Sequence, residues 1–196
     1  MDNVPFFKNL LLIGGSGRNV GKTTLALEII KIFSKQAEII GLKVSTHHKG
    51  DELKHGTHTI IPADNYVINI EKNDIPRKDT ARMLQSGVSD AYYIESAGEK
   101  VKIAFEEFYN KYNPLSNPVI CESRSLRKYI KPGIYILLLG PNGDKLITDE
   151  EKSLADIIYS VNFEDHNFNE ITNKLMLTSD GWSFNNKPPQ CLDAVL

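Results

Sequence analysis

Apolar and polar positions alternate in blocks along the chain, and these blocks predict strands and helices in turn. Residues 8–13 form a nearly continuous apolar run, which is typical of a strand buried on both faces of a parallel sheet. After a glycine-rich connection, Leu25, Ile29 and Phe33 recur at helical spacing, with charged residues between them. The pattern therefore predicts a strand, a short loop and an amphipathic helix.

Shorter apolar runs later in the chain predict further strands. They cover residues 38–42, 66–70, 91–94, 118–121 and 134–139. Between them, an apolar stripe with helical spacing predicts a helix over residues 99–112. Strands that alternate with helices favour an α/β fold with a mostly parallel sheet flanked by helices, in the three-layer, Rossmann-like arrangement of the P-loop NTPases.

The C-terminal third carries weaker signals. The sequence TDEE at residues 148–151 has the form of a capping box, and we expect it to open a helix that runs through Ile158. A second short helix is expected around residues 164–176, and the pattern fades after Ser179. The length of 196 residues favours one nucleotide-binding domain over residues 1–196.

A polar stretch at residues 47–65 interrupts the pattern and is too long for an ordinary turn. We expect a loop or a hairpin insertion there. It contains His47, His48, His55 and His58. These histidines are incidental members of a polar loop, contacts to a phosphate or another anionic ligand, or metal ligands.

The chemistry of the chain centres on the sequence GGSGRNVGKTT at residues 14–24. It matches the phosphate-loop pattern G-x-x-x-x-G-K-[ST], except that Ser16 stands in place of the first glycine. The loop lies between a predicted strand and a predicted helix, so its N–H groups and the positive helix end favour an anion at one place.

Each polar residue of this loop has an expected role. Lys22 is expected to reach the β- and γ-phosphates, the Thr23 hydroxyl to ligate Mg²⁺, and Thr24 to touch the α-phosphate. The predicted nucleotide-binding residues are Gly17, Arg18, Asn19, Val20, Gly21, Lys22, Thr23 and Thr24. The ligand is expected to be GTP or ATP.

A magnesium nucleotide also needs an acid near the end of a neighbouring strand, to orient the metal and the attacking water. The run PVICES supplies Glu122 as this acid. The alternative interpretation is that Glu122 is a solvated residue at the end of a strand. Asp79 precedes the helical segment TARMLQ, where it holds magnesium, positions water or caps the helix. The predicted catalytic residues are thus Lys22, Glu122 and Asp79, with Thr23 and Glu122 as metal ligands.

Composition narrows the range of partners and locations. A net charge of −2 gives no basic field for nucleic acid. The apolar runs are too short to span a membrane, and no signal peptide is evident at the N-terminus. Cys121 and Cys191 have no paired spacing, which fits a reducing compartment. We therefore expect a cytoplasmic protein without nucleic-acid or membrane partners.

Several motifs together resemble the molybdopterin-guanine dinucleotide biosynthesis protein B family. They are the phosphate loop, STHH at residues 45–48, PRKDTARMLQSGVSDAYYIES at residues 76–96, and VICES at residues 119–123. That family is similar to the deviant phosphate-loop class that includes dethiobiotin synthetase, whose Val-Gly-Lys-Thr ending and strand-terminal glutamate match Val20–Thr23 and Glu122.

The resemblance implies a GTP-binding homodimer with slow hydrolysis, which acts as an adaptor for a guanylyltransferase that attaches GMP to molybdopterin. It also implies His47 and His48 as substrate contacts, while Lys78 is expected near the acceptor in the ligase or kinase alternative named below. The preference for GTP rests on the resemblance, because NKLM at residues 173–176 lacks the carboxylate that usually reads guanine. Two alternatives stay open: an ATP-dependent ligase or small-molecule kinase like dethiobiotin synthetase, and a regulatory module that binds nucleotide without turnover.

Overall fold

A computed structural model describes residues 4–47, 65–72, 78–113, 117–161 and 167–185. The strands are β1 (Phe6–Gly15), β2 (Ile40–His47), β3 (Tyr66–Ile70), β4 (Asp90–Ala97), β5 (Val119–Glu122), β6 (Lys131–Leu139), β7 (Ile157–Ser160), β8 (Leu175–Thr178) and β9 (Gly181–Phe184). The helices are α1 (Lys22–Phe33), α2 (Asp79–Ser86), α3 (Lys100–Tyr112), α4 (Gly143–Leu146), α5 (Asp149–Ser153) and α6 (Asn169–Thr172).

Seven of these strands form one sheet in the order β3-β4-β2-β5-β1-β6-β7. All neighbouring pairs are parallel except β3 and β4, which are antiparallel. The prediction of a mostly parallel α/β sheet is confirmed. Because β1 is an interior strand that runs parallel to both of its neighbours, the loop that follows it opens at the carboxyl edge, where ligands bind on open α/β sheets.

Helices cover both faces of the sheet. Helices α1 and α2 bury Leu25, Ile29 and Met83 on one face, and α3 buries Phe105 and Phe108 on the other. The side chains of β1 alternate between these two cores, as expected for a strand covered on both sides. The predicted three-layer arrangement is therefore confirmed.

The structure corrects the two helices predicted near the C-terminus. The capping box of Thr148 and Glu151 is present, but its helix ends at Ser153, and Ile157–Ser160 is an edge strand parallel to β6. In the second region, α6 covers Asn169–Thr172 only, and Leu175 already begins strand β8. Branched and aromatic side chains at the start of β7 favour the extended conformation.

The β8–β9 hairpin lies on the α1 face of the sheet. Trp182 is buried there, with its ring 5.1 Å from that of Phe33 at the end of α1. Phe168, just before α6, belongs to the same core. This part of the chain, whose role the sequence does not indicate, thus completes the packing around the helix that follows the phosphate loop.

Strand β2 differs from its prediction in both bounds. It begins at Ile40 and continues to His47, so STHH starts within the strand. Residues 48–64 lie outside the described part of the chain, and the loop or hairpin insertion at 47–65 stays a prediction. No helix in the described ranges is long and apolar enough to cross a membrane.

Candidate phosphate-binding site

The loop between β1 and α1 has the backbone of a tight turn. Asn19 and Gly21 both have positive φ, at 58° and 85°. Gly21 directly precedes the first helical residue, and a side chain there would be strained by the backbone and lie 3.0 Å from Phe168 Cζ. Glycine at position 21 therefore allows both the turn and the close packing of Phe168.

The other glycines of the loop differ in what they permit. A Cβ on Gly14 would lie 2.4 Å from the Tyr135 hydroxyl, and one on Gly15 would lie 2.6 Å from Val20 Cγ2. At Gly17 a Cβ would meet nothing within 4 Å. Close packing explains the first two glycines, whereas the free protein sets no steric requirement for the third.

Ser16 shows what replaces the first glycine of the motif. Its side chain is buried, and its hydroxyl accepts a hydrogen bond from the Gly140 N–H at 3.0 Å. Its own N–H donates to the Leu138 carbonyl at 2.9 Å. The serine thereby joins the start of the loop to the end of β6 through two hydrogen bonds.

Lys22 folds back across the loop. Its ammonium donates to the Gly17 carbonyl at 2.6 Å. Burial is the main cause that lowers the pKa of Lys22, while Glu122 opposes the shift and Lys43 adds to it. A partly desolvated ammonium held by one neutral carbonyl is well suited to turn towards a phosphate.

Glu122 lies beside the phosphate loop, as predicted from the sequence. The Thr23 hydroxyl donates to Glu122 Oε2 at 2.8 Å, although 99 positions separate the two residues. Pairing of Ile13 with Glu122 in the β1–β5 ladder brings them together. A hydroxyl and a carboxylate at this distance are hard oxygen donors of the kind Mg²⁺ prefers, so Thr23 and Glu122 fit the predicted metal.

Lys43 is a site residue that the sequence interpretation missed. It lies opposite Glu122 in the β2–β5 ladder, with its ammonium 3.6 Å from Glu122 Oε1 and in an ion pair with Asp79. Burial, the largest influence, lowers the pKa of Lys43, but the two carboxylates together outweigh it and raise the pKa overall. A charged residue inside the apolar run of β2 was the available signal.

Asp79 does not cap its helix. The N-cap is Lys78, and Asp79 is the first helical residue, with Arg82 Nη1 3.7 Å from one carboxylate oxygen and Lys43 at the other. The ion pair with Lys43 holds the carboxylate towards the sheet instead of over the helix end. We call Lys22, Thr23, Lys43, Asp79 and Glu122 the carboxyl-edge cluster.

The remaining predicted site residues that the structure describes lie outside the carboxyl-edge cluster. Arg18, Asn19 and Thr24 are exposed on the loop and the first turn of α1. Lys78 is exposed, with its ammonium 4.0 Å from Glu71. His47 is the last residue of β2, and His48, like His55 and His58, lies outside the described residues. In the described ranges no group of three or more histidine, cysteine or acidic side chains forms a metal site.

Comparisons with known proteins add little to this geometry. No family model and no curated protein matches the chain. Among solved structures it is similar to LpxK from Aquifex aeolicus, described as an apo form in complex with ATP, with 16% identity and a TM-score of 0.48. The match covers 84% of this chain and 50% of that one, so the chain spans about half the length of LpxK. A similarity of this extent does not identify a ligand or an activity.

Proposed function

We propose that the chain binds a nucleoside triphosphate in its phosphate loop and hydrolyses it slowly. The carrying observation is the hydrogen bond from Thr23 to Glu122 at the start of α1, beside the Lys22 ammonium. A nucleophile-positioning acid, a hydroxyl and a cation meet where a helix begins, which is the constellation that phosphoryl transfer requires.

Each side chain has a task in this proposal. Lys22 leaves the Gly17 carbonyl and pairs with the β- and γ-phosphates. Thr23 and Glu122 hold magnesium, which supplies charge neutralisation on the phosphate oxygens when bound. Glu122 accepts a hydrogen bond from the attacking water, and Lys43 keeps that carboxylate in place from the adjacent strand.

The finer assignment follows the family resemblance. We propose GTP over ATP, and a homodimeric adaptor that serves a guanylyltransferase in the biosynthesis of molybdopterin guanine dinucleotide. In that setting His47 and His48 contact the pterin ligand. Ser45–His47 at the end of β2, the start of the DTARM helix and Glu122 at the end of β5 support this assignment, because all three lie at the same edge of the sheet.

One observation favours a second candidate, transfer of the phosphate to a small molecule. Lys43 and Asp79 form a half-buried ion pair next to Glu122. A cation and an acid in that place suit a hydroxyl or carboxylate acceptor as well as they suit water. A kinase or ligase would then use the same loop.

A panel of nucleotides separates these functions. Binding of GTP and ATP with Mg²⁺ is measured by calorimetry, and phosphate release is followed in the same samples. Binding with slow release supports the proposal, while binding without release indicates a regulatory module. Release that occurs only with an added acceptor indicates a kinase or ligase. If the chain binds neither GTP nor ATP, the proposal is wrong.

A crystal grown with nucleotide or sulfate gives an independent check. We expect an anion within the loop formed by residues 17–24, with Lys22 turned towards it. Clear density for an empty loop, with Lys22 pointing away in soaked crystals, is the contrary result.

A further inference from the structure

A surface groove of about 430 Å³ runs along the exposed side of α1. It is lined by Glu28, Lys31 and Ile32 from the helix, and by Asn167, Phe168, Asn169 and Thr172 from the segment around α6. The volume lies within the roughly 300–1,000 Å³ of small-molecule sites. Ile32 is 42% exposed, an apolar surface that a flat ligand would cover.

The groove begins next to the phosphate loop. The ring of Phe168, which lines it, packs directly over Gly21, the last glycine of the loop. Along α1, the exposed Thr24 and the partly buried Glu28 lie one turn apart, so about 6 Å of helix separates them, and the exposed Lys31 follows one turn later. A nucleotide with its α-phosphate at Thr24 would have its base within reach of both side chains.

The far wall of the groove is held in place by its own contacts. The Tyr159 hydroxyl donates to the Asn167 carbonyl at 3.0 Å, and the Asn169 N–H donates to Asn167 Oδ1 at 2.9 Å. The rings of Tyr159 and Phe168 have centroids 5.8 Å apart. These contacts hold Asn167 and Phe168 in place relative to strand β7.

Glu28 and Lys31 have complementary hydrogen-bonding chemistry. A carboxylate only accepts and an ammonium only donates. Partial burial raises the pKa of the Glu28 carboxyl, and the nearby Lys31 ammonium offsets part of that rise. Guanine carries N–H donors beside the O6 acceptor, so it matches an acceptor followed by a donor. Adenine has an N6 donor where guanine has O6, and would oppose Lys31 with a donor.

We propose that this groove holds the nucleoside, and that Glu28 and Lys31 select a 6-oxo-2-aminopurine over adenine. Glu28 accepts from the N1 and N2 hydrogens of the base, Lys31 donates to O6, and Ile32 packs against the ring. This inference rests on the proposed function, because it needs the triphosphate in the phosphate loop. It locates base recognition in two residues of α1, outside every motif of the sequence.

The test compares three probes with Mg²⁺, namely GTP, ATP and inorganic tripolyphosphate, by calorimetry. The unaltered chain should bind GTP more tightly than ATP. Glu28→Gln should weaken GTP about tenfold or more, since a hydrogen bond to a charged group is lost, and should leave tripolyphosphate unchanged. Glu106→Gln, the same change on α3 across the sheet, is the matched control and should alter none of the three affinities.

The outcomes are separable. If tripolyphosphate and both nucleotides fail to bind, the proposed function itself is wrong. If all three bind but GTP is not preferred, or Glu28→Gln behaves like Glu106→Gln, the phosphate site stands and the groove proposal is overturned. Lys31→Met is a second, independent test of the groove. It should reduce the preference for GTP over ATP without changing the thermal stability of the chain.

Discussion

Polar side chains gather towards both ends of the interior strand β1, and the two groups differ in charge. Towards the amino end, Tyr109 donates to Asn9 Oδ1 at 3.1 Å, and Asn9 donates to the Asn117 carbonyl at 2.8 Å. These groups are neutral, and each hydrogen bond ties a helix or loop to the strand. At the other end, the carboxyl-edge cluster consists of two lysines, two acids and a threonine.

The difference shows how a polar group can serve a fold or serve a ligand. Neutral hydrogen bonds at the amino end replace water and have no charge left to offer. In the carboxyl-edge cluster, the Lys22 ammonium donates to a neutral carbonyl, and Glu122 is shared between Thr23 and Lys43. Charged side chains with such shared contacts can exchange their present partners for a phosphate or a metal ion. The amino end should therefore govern stability, and the carboxyl end binding and turnover.

The largest effect is expected from Lys22→Ala. It removes the cation that faces the phosphates, so nucleotide affinity should fall by about a hundredfold or more, and turnover with it. Calorimetry with GTP and ATP measures the change. Lys111→Ala, on the exposed surface of α3, is the control and should bind normally. Undiminished binding by Lys22→Ala would contradict the assignment of nucleotide binding to the carboxyl-edge cluster.

Gly15→Ala tests whether close packing shapes the loop. Its new methyl would overlap Val20 and press on Lys22, which should cost about 1–3 kcal/mol of unfolding free energy and weaken nucleotide binding. Gly17→Ala is the matched control, because a methyl there meets nothing within 4 Å. Urea unfolding gives both free energies. Equal stability of the two variants would contradict the packing explanation.

Glu122→Gln separates binding from chemistry at the carboxyl edge. The amide keeps the shape of the side chain but loses its charge, so hydrolysis should fall about tenfold or more, roughly 1.4 kcal/mol per tenfold. Nucleotide affinity should change little, because Lys22 and the loop N–H groups remain. Phosphate release is compared with that of Glu150→Gln, a surface control. An unaltered rate would show that Glu122 has no role in hydrolysis and is a solvated residue at the end of its strand.

The smallest effect is expected at the amino end. Tyr109→Phe deletes the hydroxyl that donates to Asn9, and should lower the unfolding free energy by about 1 kcal/mol. Nucleotide binding and turnover should stay the same, since the hydroxyl is remote from the phosphate loop. Loss of turnover in this variant, at temperatures where it remains folded, would show that the two ends are coupled.

The sequence predicts local features of this molecule better than contacts between distant segments. The loop of residues 14–24 and the helix after it follow from short-range pattern, and Glu122 follows from its place after an apolar run. The contacts of Lys43 with Glu122 and Asp79 do not, because they depend on which strands become neighbours. The register of β2 with β5 places Lys43 opposite Glu122. That register is a relation between two distant segments, so it cannot be read from either segment alone.

The missed strand β7 has a related cause. Its four residues, Ile157–Ser160, alternate between half-buried and exposed, and a run so short fits a helical or an extended period. Pairing with β6 decides in favour of the strand. The same holds for β8, where Leu175 was expected at the end of a helix and instead pairs with Phe184.

The antiparallel placement of β3 has a consequence for how this protein can change. His47 at the end of β2 and Tyr66 at the start of β3 flank the adjacent β4 residues Ala97 and Ser96. The two ends of the 47–65 segment are thus fixed two strand spacings apart, about 10 Å, at the carboxyl edge. Lengthening a chain tethered in this way costs only about 0.6 kcal/mol of closure entropy for each doubling. Evolution or an engineer could therefore exchange this segment for another, even for a whole domain, beside the phosphate loop while the sheet beneath it stays the same.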